Sequence, residues 1–183
     1  MYDTQKFYSR LFKPLEATLG PIDRDTLVAI VGFDVGGPLN FCTIGRESSG
    51  LCITYVSCEL AIREDQQPSE FGRYELLVTC DDERWVRSIV SKTGRMGLEA
   101  TFGHSHTLDI CAWVEPDAPL QGVVFEEACR CRIGGKRFGV LRMIGVSRPE
   151  MDYAREHGAP ALLECPKAAG IYPCTLVRRA SVI

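Results

Sequence analysis

A chain of 183 residues with 45% hydrophobic and 25% charged side chains has the make-up of an ordinary globular domain. At roughly 100–200 residues per domain, one domain over residues 1–183 is expected, with a core from about Phe7 to Val177. A formal charge of −3 excludes the basic footprint of a nucleic-acid binder. The longest apolar run, Leu27 to Phe33, falls far short of the ~20 residues that span a bilayer.

In chain order, the first ten residues, MYDTQKFYSR, carry an acid and no apolar centre, unlike a secretory leader, so a cytoplasmic protein is expected. Tyr8, Leu11, Phe12, Leu15 and Leu19 recur at helical spacing, with Pro14 interrupting and Gly20-Pro21 ending the segment. Strands are predicted over Leu27 to Phe33, Pro38 to Ile44, Leu51 to Cys58 and Tyr74 to Cys80, with Ser48-Ser49-Gly50 as a turn. The polar stretch REDQQPSEFG between the last two reads as a solvated loop. Asp81-Asp82-Glu83 opens a helix whose stripe is Trp85, Val86, Ile89, Val90 and Thr93, with Gly94 as its left-handed cap. Thr107 to Trp113 reads as strand. Gly122 to Ile133 and Phe138 to Val146 read as a hairpin turned at Gly134-Gly135-Lys136. Ser147 and Glu150 form a capping-box pattern for a helix to His157, stopped by Gly158. Pro160 starts another segment, cut by Pro166, and a short strand follows near Pro173 to Val177. This order predicts an α+β domain with a mixed or antiparallel sheet flanked by helices.

Nine cysteines, at 42, 52, 58, 80, 111, 129, 131, 165 and 174, form an odd set. Several sit in apolar runs such as LCITYVSC and ELLVTC, where a reduced thiol serves as a small hydrophobe. A zinc site from His104, His106, Cys129 and Cys131 is the sharper alternative, although one intervening residue is tight for a zinc knuckle. A thiolate nucleophile pairing Cys111 with His104 or His106 is another, set against Cys111 reading as buried strand interior. No phosphate-binding glycine loop, nucleophile elbow or H-E-x-x-H is present. Trp85 reads as core or, alternatively, as a binding hot spot. The basic stretch Arg130-Cys131-Arg132 with Lys136-Arg137 reads as a solvated hairpin face rather than an anion site.

Three runs, GRYELLVTCDDERWVRSIV, GHSHTLDI and VLRMIGVSRPEMDYAREHGAPALLE, together resemble the suppressor-of-fused domain family, in its short bacterial form. The upstream GGPLNFCTI fits the family's early strand. The resemblance implies a suppressor-of-fused-like α/β domain used for protein binding, with no catalytic residues and no cofactor. Tyr74, Leu76, Trp85, Gly103, His104, Tyr153, Gly158 and Leu162 match the family pattern, most of them in packing roles. Long members clamp a peptide with a further C-terminal domain for which this chain has no room, so that role is not implied. Short bacterial members resemble immunity proteins that neutralise polymorphic toxins. The expected partner is accordingly a toxin or other polypeptide, neither nucleic acid nor membrane, with Trp85, His104, His106 and Tyr153 as candidate contacts. The alternative is a small cysteine/histidine enzyme or a metal-binding protein.

Overall fold

A computed structural model describes residues 4–33, 37–46, 50–133 and 135–183. Among these described residues eight strands form one mixed sheet. Helix α1 spans Thr4–Leu19, and the antiparallel meander β1 (Asp23–Phe33), β2 (Gly37–Arg46), β3 (Ile53–Ser57) and β4 (Arg73–Cys80) follows. Helix α2 (Glu83–Met96) then leads to β5 (Thr107–Asp109) and the long hairpin of β6 (Gly122–Ile133) and β7 (Lys136–Val146). Strand β7 returns parallel to β4. Helices α3 (Arg148–His157) and α4 (Ala159–Ala168) and strand β8 (Cys174–Thr175) follow, and the strand order across the sheet is β1-β2-β3-β4-β7-β6-β5, with β8 added beside β4. The α+β class with a mixed, helix-flanked sheet is as predicted. No described helix is long and apolar enough to cross a membrane.

Side-chain alternation along the central strands divides the core. Tyr74, Leu76 and Val78 of β4 join Phe125 and Met143 beneath Trp85, Val86, Ile89 and Val90 of α2. The intervening Leu77, with Val56 and Val140, packs against Leu11, Phe12 and Leu15 of α1. Further along that second face, Val124, Ile144 and Val146 meet Met151 and Ala154 of α3 and Leu162 and Leu163 of α4. Strand β4 is buried on both faces, as a central strand with helices on either side must be.

Local chemistry sets the ends of the elements. Asp82 Oδ1 accepts the N–H groups of Arg84 (2.8 Å) and Trp85 (3.1 Å), supplying partners for two unpaired donors of α2. The predicted stop at Gly94 is overrun: Gly94 is buried within α2, which ends at Gly97 in a right-handed conformation. A side chain at Gly97 would come within 2.9 Å of the Tyr74 hydroxyl, so close approach, not left-handed backbone, calls for glycine there. Helix α1 continues through Pro14, and α4 through Pro166 for two residues more. Glu150 Oε2 accepts the Ser147 N–H at 2.8 Å at the start of α3, and Gly158, at φ +88, ends it as expected.

Three expectations are corrected. The strand read over Thr107 to Trp113 stops at Asp109, because Asp109 Oδ1 takes the Cys111 N–H at 2.9 Å and the chain turns into a 3-10 turn at Cys111–Trp113. Cys111 is therefore half-buried in a turn rather than strand interior. The loop before β4 is not simply solvated: Gln66, Ser69 and Phe71 are buried. The Gln66 amide donates to Tyr74 O at 2.8 Å and accepts Tyr74 N–H at 3.0 Å, serving as a strand partner for β4. Ser48 and Ser49 of the expected turn and Gly134 of the hairpin turn lie outside the described residues; Gly50 has φ +70 and Gly135 φ +83.

Candidate functional site

The candidate contact residues occupy three places. Trp85 is core: it is 9% exposed, and its ring lies over Gly145 of β7. Tyr153 lies on α3, half-buried beside its cluster, with its ring 4.4 Å from that of His157. His104 and His106 are exposed on the segment that leads into β5. This segment already pairs with β6, since Phe125 O accepts the Ser105 N–H (2.8 Å) and His106 O accepts the Phe125 N–H (2.9 Å). Ser105 takes a left-handed φ of +67, which breaks strand alternation between the two imidazoles.

His104 Nδ1 accepts the Glu127 N–H at 3.2 Å, and the His104 backbone N–H donates to Glu70 Oε1 at 3.3 Å. Gly103 permits this approach, because a Cβ there would lie 2.7 Å from Glu70 Oε2. Burial works to raise the Glu70 carboxyl, but hydrogen bonds from its own backbone, Ser69 and His104 outweigh it and hold the group below its ordinary value.

Neither alternative chemistry assembles. Cys111 lies next to Gln121, whose carbonyl accepts its thiol at 3.8 Å, whereas His104 meets Glu127, six residues along β6. At about 3.3 Å per residue these points lie roughly 20 Å apart, and Phe125, the strand partner of His106, lies roughly 13 Å along β6 from Gln121, so Cys111 is bonded to neither imidazole. Cys111 instead faces Arg148, whose Nη2 is 2.9 Å from the sulfur and whose Nη1 pairs with Asp109 at 3.0 Å. Partial burial and Asp109 raise its pKa. Cys129 and Cys131 pack with the α1 cluster, where burial raises both thiols, Cys129 to about 11. Among the described residues no group of His, Cys, Asp and Glu is placed to hold a metal.

Beside His104, the distal end of the β6–β7 hairpin forms a groove. The register sets Arg130 opposite Gly139, Cys131 opposite Phe138 and Arg132 opposite Arg137. Phe71 fills the space left by Gly139: a Cβ there would fall 2.0 Å from Phe71 Cδ2. The Arg130 guanidinium lies 5.6 Å from the Phe71 ring centre and makes a bidentate pair with Glu127, both contacts 2.5 Å. An open cavity of about 380 Å³ is lined by Phe71, Arg130, Cys131, Arg132, Arg137 and Phe138. Sequence reading marked the arginines but not Phe71, whose signal would have been the Phe71-Gly72 pair in a polar loop. A Gly139→Ala substitution must displace Phe71 and is expected to cost about 1–3 kcal/mol in urea denaturation while also disordering the groove floor.

Comparison with known proteins finds no matching family model and no matching curated protein. Solved structures do match. The crystal structure of the Sufu–Fu complex contains a chain with a TM-score of 0.69 and 12% identity, covering 98% of this chain and 91% of that one. A suppressor-of-fused homologue from Neisseria gonorrhoeae FA 1090 gives 0.64 and 14%, covering 98% of both chains. The fold is that of suppressor of fused. Drosophila Suppressor of Fused gives a TM-score of 0.61 at 13% identity, over 80% of this chain but only 43% of that longer one. The suppressor-of-fused-like architecture implied by the sequence resemblance is thus the observed one, at identities that bear on fold alone. In this chain that fold brings the hairpin end, the loop at Phe71 and the His104 segment together on one side of β6.

Proposed function

We propose that this chain is a non-catalytic protein-binding module, acting in the cytoplasm as an immunity protein that neutralises a bacterial toxin. The observation that carries the reading is the full-length match to a bacterial suppressor-of-fused homologue, alongside a second match solved as a complex named for two proteins. The use of the reactive side chains supports it. Glu75 holds a loop and Glu150 holds the C-terminal segment through hydrogen bonds, while Cys52 and Cys80 are buried with their thiols raised. His104 and His106, exposed beside the hairpin groove, are the candidate contacts this geometry favours, with Tyr153 on the far face a separate one. Affinity purification of the tagged chain from its own cells is expected to recover a stoichiometric polypeptide encoded by a neighbouring gene. Co-expression is expected to rescue growth of cells producing that polypeptide. Recovery of no polypeptide after cross-linking would remove the binding reading; recovery without rescue would remove the immunity role.

A further inference from the structure

The hairpin groove places like charges face to face. Arg132 and Arg137 are directly opposed across β6 and β7, and both are exposed. Like charges in this position destabilise a strand pair. Glu127 is engaged by Arg130 and Glu70 by the His104 backbone, and neither Arg132, Lys136 nor Arg137 has a carboxylate partner among the described residues. A protein of net charge −3 therefore keeps an unneutralised cationic cluster at one end of its longest hairpin. The floor below it is the Phe71 ring under Arg130, and the cavity there, of about 380 Å³, admits one apolar side chain; Phe138 also lines it but packs its ring in the α1-side cluster on the opposite face. The floor is also built rather than incidental, since Phe71 occupies the place of a Gly139 side chain and Gly72, at φ +99, packs directly on the Arg137 carbonyl.

Resting on the protein-binding reading, we infer that this groove receives an acidic segment of the partner. Partner carboxylates pair with Arg132 and Arg137, and one apolar side chain enters the cavity over Phe71. Arginine suits this role because its planar fork meets a carboxylate with two parallel hydrogen bonds. The opposed pair is thus a binding feature held at a cost to the free protein, and its relief by an anion contributes to affinity.

The test uses the full chain and a short fluorescein-labelled peptide of glutamates and aspartates around one phenylalanine. The control peptide has lysine in place of every acid. In fluorescence polarisation the acidic peptide is expected to bind, more weakly as salt rises, and the lysine peptide not to bind. The double variant Arg132→Gln with Arg137→Gln is expected to lose about tenfold or more in affinity, while Arg84→Gln, on exposed α2, retains it. The melting temperature of the double variant should equal or exceed that of the parent, because the opposed charges are gone. Equal binding of both peptides, no binding of the acidic one, or unchanged affinity in the double variant overturns the inference. The two readings separate in copurification. A partner that the double variant binds with the affinity of the parent removes the acidic-segment inference and leaves the protein-binding reading intact. Failure of the parent chain to capture any polypeptide removes the protein-binding reading, while the peptide titration still reports on the groove.

Discussion

An Arg179→Leu substitution will destabilise the chain by about 3–5 kcal/mol, the usual consequence of leaving a buried charge without its partner. The Arg179 side chain is 8% exposed and Glu150 fully buried. The guanidinium donates to Glu150 Oε1 at 2.5 Å and to Oε2 at 2.7 Å, and Nη2 also donates to Gly145 O at 3.0 Å. Glu150 accepts the Val182 N–H at 2.8 Å as well, so the Glu150–Arg179 pair joins the start of α3, the end of β7 and the C-terminal segment. For a domain of this size the loss corresponds to a fall in melting temperature of roughly 6–20 °C by calorimetry. The same site has an acid limb. Burial tends to raise the Glu150 carboxyl, but Arg179 and the Ser147 and Val182 N–H groups outweigh it, so its pKa in the folded chain lies below the ordinary value of 4.5. Its contribution is present above the unfolded value and is lost as pH falls through the folded one. Glu150→Gln should remove that part of the acid limb, and an unchanged limb would assign it to other carboxyls.

The contrast between the two ends of α3 shows what a sequence can carry. The Ser147–Glu150 spacing is local, and it marks the helix start correctly. The partnership of Glu150 with Arg179 spans 29 residues and follows only from β8 returning the chain beside β4. The stripe of α2 and the β6–β7 hairpin were likewise legible, because periodicity and turn residues act over a few positions. What failed was decided by single side chains acting on the backbone. Asp109 ends β5 early, and Gln66 draws a polar loop into the core. The groove was half legible. Its arginines stand out in sequence, but their opposition depends on the irregularity between Glu127 and Cys129, which sets Arg132 against Arg137. Phe71 enters the site only because Gly139, 68 positions away, leaves it room.

The stability of the chain will also fall as pH rises from about 4.5 to about 7, by roughly 3 kcal/mol, owing to Glu75. This residue is 0% exposed on the α1 face of β4, and no ion pair with a cation is found for it among the described residues. Burial pushes its carboxyl up to about 7, although Ser57 and the Ala61 and Leu60 N–H groups pull the other way. A carboxyl that binds its proton more tightly when folded stabilises the fold fully below the unfolded value of 4.5. That contribution is lost as pH climbs through the folded value, the reverse of the Glu150 case and in a separate window. Urea denaturation at steps across this range should show the decline in the parent and a flat profile in Glu75→Gln; a decline that survives in the variant would acquit Glu75. Removing the acceptor altogether costs more than removing the charge. Glu75 Oε1 accepts the Ala61 N–H at 2.9 Å, and Oε2 accepts the Leu60 N–H at 3.1 Å and the Ser57 hydroxyl at 2.5 Å. Ser57 Oγ is itself the acceptor for the Leu76 N–H at 2.8 Å, so its hydrogen is committed to Glu75. Glu75→Leu strands both N–H groups and the hydroxyl in the core at about 1–3 kcal/mol each, and should leave the chain unfolded or nearly so at neutral pH. Glu75 is thus retained as the acceptor that closes the turn after β3, and the cost of its charge above pH 7 is smaller than the cost of leaving those donors unpaired.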